Sequence, residues 1–294
     1  KCYEDVSHLP GPPDASFIGI NRNQTPQIIG QLSKIGAGGA VCFASGFAET
    51  KIDDTKNTGE HLQRELVNMA GDMPILGPNC YGMINYLDGA LLWPDQHGGR
   101  KVSKGVAIIT QSSNIAINIS MQARGLPLSY IITAGNQAQI SQSEIALGLL
   151  DDERVTAIGL HVEGIDNPKI FEKLAKKAIK KKVGVIAIKV GKSEAAQAAT
   201  VSHTASLAGN DSAANALFER LGIARVDDLE TFLNSLIILH QGGPLFGNSI
   251  SSMSCSGGEA SLVADLAEEL DLHFPSFDEE TKDHLSDILG PLVH

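Results

Sequence analysis

His203 stands between Ser202 and Thr204 in a run of small side chains, and Asn210 and Asp211 follow it with N-cap chemistry for the periodic segment Ser212 to Leu221. A histidine just before a helix N-terminus can carry a phosphoryl group, because free backbone N–H groups and the positive helix end stabilise the anion. A solvated loop histidine fits the same spacing. Glu163 closes the apolar run Val155 to Val162 and is a second candidate. A carboxylate bonded to one imidazole nitrogen fixes the tautomer and leaves the other nitrogen to attack phosphorus. On spacing alone, a solvated strand-end carboxylate is the simpler reading of Glu163. A third set, Gln111-Ser112-Ser113-Asn114, joins the apolar run Gly105 to Thr110 to a helical pattern over Ile115 to Arg124. Ser and Asn there satisfy orphan helix donors, and the same geometry leaves N–H groups free for phosphate.

The elements that must position these residues alternate along the chain. Asp14 to Ile20, Gly39 to Ala44 and Pro74 to Leu76 have strand character; Thr25-Pro26 opens a helix to Ile35, and Thr58 to Ala70 is amphipathic. Strands alternating with helices imply a parallel, doubly wound sheet with ligands beyond the carboxyl ends of its strands. Ser45-Gly46 and Pro78-Asn79-Cys80 fall at such ends, where Gly, Pro and Asn also serve as ordinary turn residues. Cys80 has no evident base and is taken as pocket-lining rather than nucleophilic.

Residues 87–104 look like a linker or exposed edge, with Trp93, the only tryptophan, placed to pack between domains. A second unit follows with strands at Gly105 to Thr110, Tyr130 to Thr133, Val155 to Val162 and Val183 to Val190. Helices are expected at Ser143 to Leu150 and over the lysine-rich, amphipathic stretch Lys169 to Lys182. His161 lies inside its strand, packed or face-exposed. After Gly242-Gly243-Pro244, a strand over Asn248 to Ser254, a Cys-Ser-Gly-Gly turn and a helix over Glu259 to Leu270 repeat the order of residues 105–124.

Six motifs carry a resemblance. Ser202-His203-Thr204-Ala205-Ser206-Leu207-Ala208-Gly209 resembles the Ser-His-Thr-Gly-x-Leu-Ala-Gly phosphohistidine loop of the NDP-forming acyl-CoA synthetases, the superfamily of succinyl-CoA synthetase and the ADP-forming acetate–CoA ligases. Gly77 to Gly82 is similar to the family's Gly-Pro-Asn-Cys-x-Gly segment, and Ser45 to Glu49 to another CoA-domain signature. Gln111-Ser112-Ser113, Gly135-Asn136 and Val162-Glu163-Gly164 resemble further signatures in order. Ala205 and Ser113 each stand where the family has Gly, which permits close backbone approach.

The resemblance implies an α/β fold with parallel sheets: a Rossmann-like CoA-binding domain at 1–98, lacking its first strand and Gly-rich turn, and a flavodoxin-like ligase domain at 99–241. The start of a second flavodoxin-like domain would occupy 242–294. It implies an acid–thiol ligase interconverting acyl-CoA, phosphate and ADP with carboxylic acid, CoA and ATP through acyl phosphate and a phosphohistidine. His203 would be the carrier and Glu163 its orienting carboxylate. Ser112, Ser113, Asn114, Gly135 and Asn136 would hold phosphate, and Ser45, Gly46, Pro78, Asn79 and Cys80 would lie near CoA. ATP or ADP and Mg²⁺ would sit on an ATP-grasp domain or subunit absent from this sequence, which is then a fragment or the ordered part of something longer, in a homo- or hetero-oligomer. The other reading is a non-catalytic CoA- or acyl-CoA-sensing module fused to an activity such as an acetyltransferase; the presence of His203 favours the enzyme.

Composition sets outer bounds. With 294 residues, 43% of them hydrophobic, the chain can bury real cores. A formal net charge of −11 argues against nucleic acid or an anionic membrane as main partner. The four cysteines lack a Cys-x-x-Cys pair and fit a reducing compartment, hence the cytoplasm, and the nine histidines show no metal-ligand spacing. No apolar run is long enough to span a bilayer as a helix.

Overall fold

The computed structural model describes residues 1–50, 58–165, 167–193, 196 and 211–289. His203 and its neighbours therefore lie outside the described residues. Contacts divide the chain into one unit over Lys1–Pro244 and another over Leu245–His294.

Among the described residues the first unit holds two sheets. The smaller is parallel, in the order β1 (Ser16–Ile18), β2 (Ala40–Cys42), β3 (Ile75–Leu76). Helices α1 (Thr25–Lys34) and α2 (Gly59–Ala70) pack against each other and bury Ile29, Leu32, Leu62 and Leu66 with Cys42, Phe47 and Ile75. Their apolar residues recur every three or four positions, which sets one stripe of each helix inward. Pro26 occupies the first turn of α1, where its missing N–H costs nothing, and the Thr58 hydroxyl caps α2 by accepting from His61 N.

The larger sheet is built from β4 (Met83–Asn85), β5 (Ala90–Leu92), β6 (Gly105–Thr110), β7 (Leu128–Thr133), β8 (Val155–Val162), β9 (Gly184–Lys189) and β10 (Ala224–Val226). Its order is β10-β9-β8-β6-β7-β4-β5, parallel from β10 to β7 and antiparallel at the β7–β4 and β4–β5 pairs. The strands of residues 83–92 thus belong to this sheet, although a boundary near residue 98 would assign them to the first domain. Ile84 pairs with Ile131 and Leu91, and that burial, not sequence position, decides where the hairpin goes. Trp93 stands edge-on to Tyr81, with ring centroids 5.5 Å apart.

All six residues of β6 are buried, the continuous apolar pattern of a parallel strand covered on both faces. On one face Ala107, Ile109, Ile158, Leu160 and Ala187 meet α4 (Gln142–Leu149), α5 (Pro168–Lys181) and α6 (Asp211–Leu221). On the other, Val106, Ile108, Ala157 and Ile186 meet α3 (Ser113–Ser120) and α7 (Leu229–Gly242). Gly159 is needed on that second face, since a Cβ there would come 2.5 Å from the Phe232 ring. The helix expected from Ile115 begins two residues earlier, because the Ser112 side chain caps it by accepting from Ile115 N.

In the second unit, α8 (Gly257–Glu269) forms with Ser256 as its N-cap, and α9 (Glu279–Leu289) follows. The strand expected over Asn248 to Ser254 does not form. Among the described residues this stretch makes one bridge, Ser249 to His273, and Ser251, Ser252 and Met253 are exposed. A strand persists only where neighbours satisfy its backbone groups, and the stretch lacks a partner strand here.

Candidate functional site

The carboxyl ends of strands from both sheets converge on a cavity of about 560 Å³ in the first unit. Phe43 and Ser45 reach it from the end of β2, and Asn79, Cys80 and Tyr81 from the loop after β3. Gln111, Ser112, Ser113, Asn114 and Ile115 line it from the turn between β6 and α3. His161 and Glu163 come from the end of β8, and Val190 from the end of β9. Parallel strands bring this about, because each crossover returns the chain so that all carboxyl ends share one edge.

Of the expected site residues, Ser45, Asn79, Cys80, Ser112, Ser113, Asn114 and Glu163 line the cavity. Pro78, Gly46, Gly135 and Asn136 do not line it and instead bond the neighbouring loops. Gly135 has φ of 54° and fits against the loop after β3, where a Cβ would lie 2.3 Å from Pro78 O. Asn136 N donates to Pro78 O at 2.9 Å. The Asn136 side chain donates to Glu49 Oε2 at 2.5 Å and to Gln63 Oε1 at 3.1 Å, while its Oδ1 accepts from Asn79 Nδ2 at 3.3 Å. Gly46 N donates to Glu49 Oε1, and its carbonyl accepts from Arg22 Nη1. These residues brace the loops that carry Ser45 and Asn79.

Cys80 is fully buried and points at the Cys42 carbonyl, with Sγ 3.7 Å from the oxygen. Burial pushes the Cys80 thiol far up and the Cys42 thiol to about 12, so both stay protonated and neither is a nucleophile at neutral pH.

The turn after β6 is bonded to the loop after β3 and to the end of β8. Ser113 Oγ accepts from Tyr81 N at 3.1 Å, which uses its oxygen and leaves its hydrogen available to donate. Gln111 is 3% exposed, and its Oε1 accepts from Gly164 N at 3.1 Å and from Glu163 N. Gln111 Nε2 is buried and, among the described residues, without a partner. The first amides of α3 have no intrahelical acceptors, so this edge of the cavity presents donors.

Three residues that matter here were not singled out by sequence. Gln111 stood in the motif but was read only as part of a turn. Lys189 is buried at the end of β9, where its Nζ donates to Glu163 O at 2.9 Å and to Val190 O at 2.5 Å. Desolvation lowers its pKa, opposed by the charges of Asp211 and Glu163. A lysine closing an apolar run was the available signal. His161 was read as packed or face-exposed. It is 4% exposed, lines the cavity, and has Nδ1 3.2 Å from Thr110 Oγ1. Thr110 Oγ1 also accepts from Ser112 N at 2.9 Å and donates to Ser112 O at 3.1 Å. With the hydroxyl hydrogen so placed, His161 Nδ1–H donates to Thr110 and Nε2 keeps its lone pair. Burial, helped by the Lys189 charge, brings the imidazole down to about 4, so it is neutral at pH 7. Among the described residues no group of His, Cys, Asp and Glu is arranged to hold a metal ion, and no helix is long and apolar enough to cross a membrane.

Residues 103–239 match the family model of the succinyl-CoA ligase like flavodoxin domain. The chain is 31% identical over 300 residues to the alpha subunit of ADP-forming acetate–CoA ligase II from Pyrococcus furiosus, covering 100% of this chain and 63% of that subunit. It is 29% identical to the ADP-forming acetate–CoA ligase of Methanocaldococcus jannaschii, again over the whole chain but 41% of the relative. The chain thus spans less than two thirds of these relatives. A crystal structure of a Pyrococcus horikoshii protein superposes with a TM-score of 0.81 at 26% identity, covering 100% of this chain and 62% of that one. The dinucleotide-forming acetyl-coenzyme A synthetase 1 of Ca. Korarchaeum cryptofilum, solved with phosphate and ADP, shares the fold at a TM-score of 0.84 and 24% identity, covering 100% and 62%. Fold, domain match and relatives agree: residues 103–239 form a succinyl-CoA ligase like flavodoxin domain, and the chain is similar over its whole length to parts of ADP-forming acetate–CoA ligases.

Proposed function

We propose that this chain supplies the CoA-binding and phosphoryl-carrying part of an ADP-forming acid–CoA ligase. The observation that carries the reading is the meeting, in one cavity, of the Glu163 carboxylate with the donor-rich turn Ser112-Ser113-Asn114 and with Ser45, Asn79 and Cys80 from the other sheet. Anion donors and a carboxylate side by side suit a group that is bound as phosphate and passed to a base.

In the acyl-CoA-consuming direction, the turn at α3 holds orthophosphate while one of its oxygens attacks the thioester carbonyl. The carbon–sulfur bond breaks, and the thiolate leaves and takes a proton. An imidazole nitrogen of His203 then attacks phosphorus, the bond to the carboxylate oxygen breaks, and the free acid departs. Glu163 orients the ring and balances its charge when phosphorylated. The phosphohistidine passes its phosphoryl group to ADP on an ATP-grasp domain or subunit, where Mg²⁺ would neutralise the nucleotide phosphates. The four free cysteines suit a reducing compartment, and the reading assigns the reaction to the cytoplasm.

Phosphoryl labelling tests it. The full protein, with its nucleotide-binding partner, Mg²⁺ and γ-labelled ATP, is expected to take up an acid-labile, base-stable label. His203→Ala should abolish the label, and Glu163→Gln should slow its formation. No label in protein that still binds CoA would sink the ligase reading in favour of an acyl-CoA-sensing module.

A further inference from the structure

Resting on the ligase reading, we propose that Gln111 is itself a phosphate-binding residue, donating from Nε2 into the cavity while the same carboxamide fixes the main chain at Glu163. A glutamine amide has an oxygen that accepts and a nitrogen that donates, and their positions follow from the partners. Here the partners are the N–H groups of Glu163 and Gly164, which only an oxygen can accept. Both lone pairs of Oε1 are thereby used, and the NH₂ group must lie on the other side.

That nitrogen is buried and, among the described residues, has no partner. A desolvated donor left unmade is costly, and native proteins keep one where a ligand completes it. Gln111 lines the cavity together with Ser112 and Ser113, at the N-terminus of α3. The Ser113 hydroxyl hydrogen is also available, because its oxygen accepts from Tyr81 N. Gln111, Ser112 and Ser113 gather donors at one turn, across the cavity lining from the Glu163 carboxylate, and donors so clustered suit a tetrahedral oxyanion, phosphate or a phosphoryl group, over a thiol or an apolar chain. Charge drawn toward Nε2 by a bound anion strengthens the two bonds at Oε1, so occupancy of the site firms the backbone that carries Glu163.

Gln111→Glu separates this from a purely structural role. It keeps oxygen acceptors for both amides but puts a carboxylate where the donor was. Binding of inorganic phosphate to the full protein, measured by calorimetric titration, is expected to weaken about tenfold or more at pH 8, the scale of one lost hydrogen bond to a charged group. Affinity should recover as the pH falls and the substituted carboxyl takes up a proton and donates again. Unchanged phosphate affinity in the folded variant would overturn the proposal, as would a loss that no pH restores or a wild-type protein that binds no phosphate. If the carboxylate variant fails to fold, Gln111→Met serves, with unfolding measured beside binding; phosphate affinity equal to wild type in folded Gln111→Met would likewise overturn it. Acyl-CoA phosphorolysis assayed on the wild type keeps the two ideas apart: Gln111-dependent phosphate binding without turnover sinks the ligase reading alone.

Discussion

The Lys189 ammonium donates to the main-chain oxygen of Glu163 at 2.9 Å and to that of Val190 at 2.5 Å, so one buried cation ties together the carboxyl ends of β8 and β9. Lys189→Met removes a desolvated charge but strands two carbonyls inside the protein. The second effect outweighs the first, with a net loss of roughly 1–3 kcal/mol expected for buried acceptors left unmade. Urea unfolding should show a lower midpoint. An unchanged midpoint would mean that water replaces the ammonium without cost.

Acid should weaken the first unit through His161. Its folded-state pKa is depressed to about 4, whereas an exposed histidine titrates near 6.5. Between those values the unfolded chain binds a proton that the folded one refuses, so stability present above pH 6.5 is lost as pH falls toward 4, by about 3 kcal/mol in all. Thr110 hydrogen-bonds the ring, and the Lys189 charge acts in the same direction as burial. His161→Phe should flatten the acid limb of a stability-versus-pH curve over that window. A curve of unaltered slope would assign acid sensitivity elsewhere.

Gly135 tests close approach against backbone conformation. Gly36 also has positive φ, 79°, but a Cβ there would meet nothing within 4 Å. Asn tolerates positive φ, so Gly36→Asn should shift thermal unfolding little. Gly135→Asn should be as damaging as Gly135→Ala, by about 2 kcal/mol or more, because the obstacle is Pro78 O and not φ. CoA binding should weaken alongside, since Pro78 belongs to the loop that carries Asn79 and Cys80. Equal tolerance at both glycines would contradict this.

Ser141 and Glu144 form a reciprocal cap at the start of α4, with Ser141 N donating to Glu144 Oε2 at 2.9 Å and Glu144 N to Ser141 Oγ at 3.3 Å. Ser141→Ala should cost about 1 kcal/mol of stability. Phosphate affinity should not change, because this cap does not line the cavity. A loss of phosphate binding would show that α4 positions the site.

Several parts of the candidate site were legible residue by residue. Glu163 and the turn Ser112-Ser113-Asn114 follow apolar runs, and the end of a buried parallel strand is where such a fold opens to ligands. Gly135 and Asn136 were legible as important but not in their place. Their motif implied phosphate, whereas the structure sets them under the loop after β3, holding Pro78 and Asn79. Gln111 escaped notice because what makes it useful is a nitrogen left over after two bonds to a segment about fifty residues away.

Periodicity and turn chemistry were enough to locate β6, β8, α2 and α5, since local hydrogen bonding and a continuous or striped apolar pattern specify such elements wherever they pack. The order of strands, the antiparallel hairpin added at residues 83–92, the missing strand at 248–254 and the neutral state of His161 were decided by tertiary structure alone. Each depends on what a residue finds opposite it after folding, a partner strand, a buried face or a dry cavity wall, and those neighbours come from distant parts of the chain.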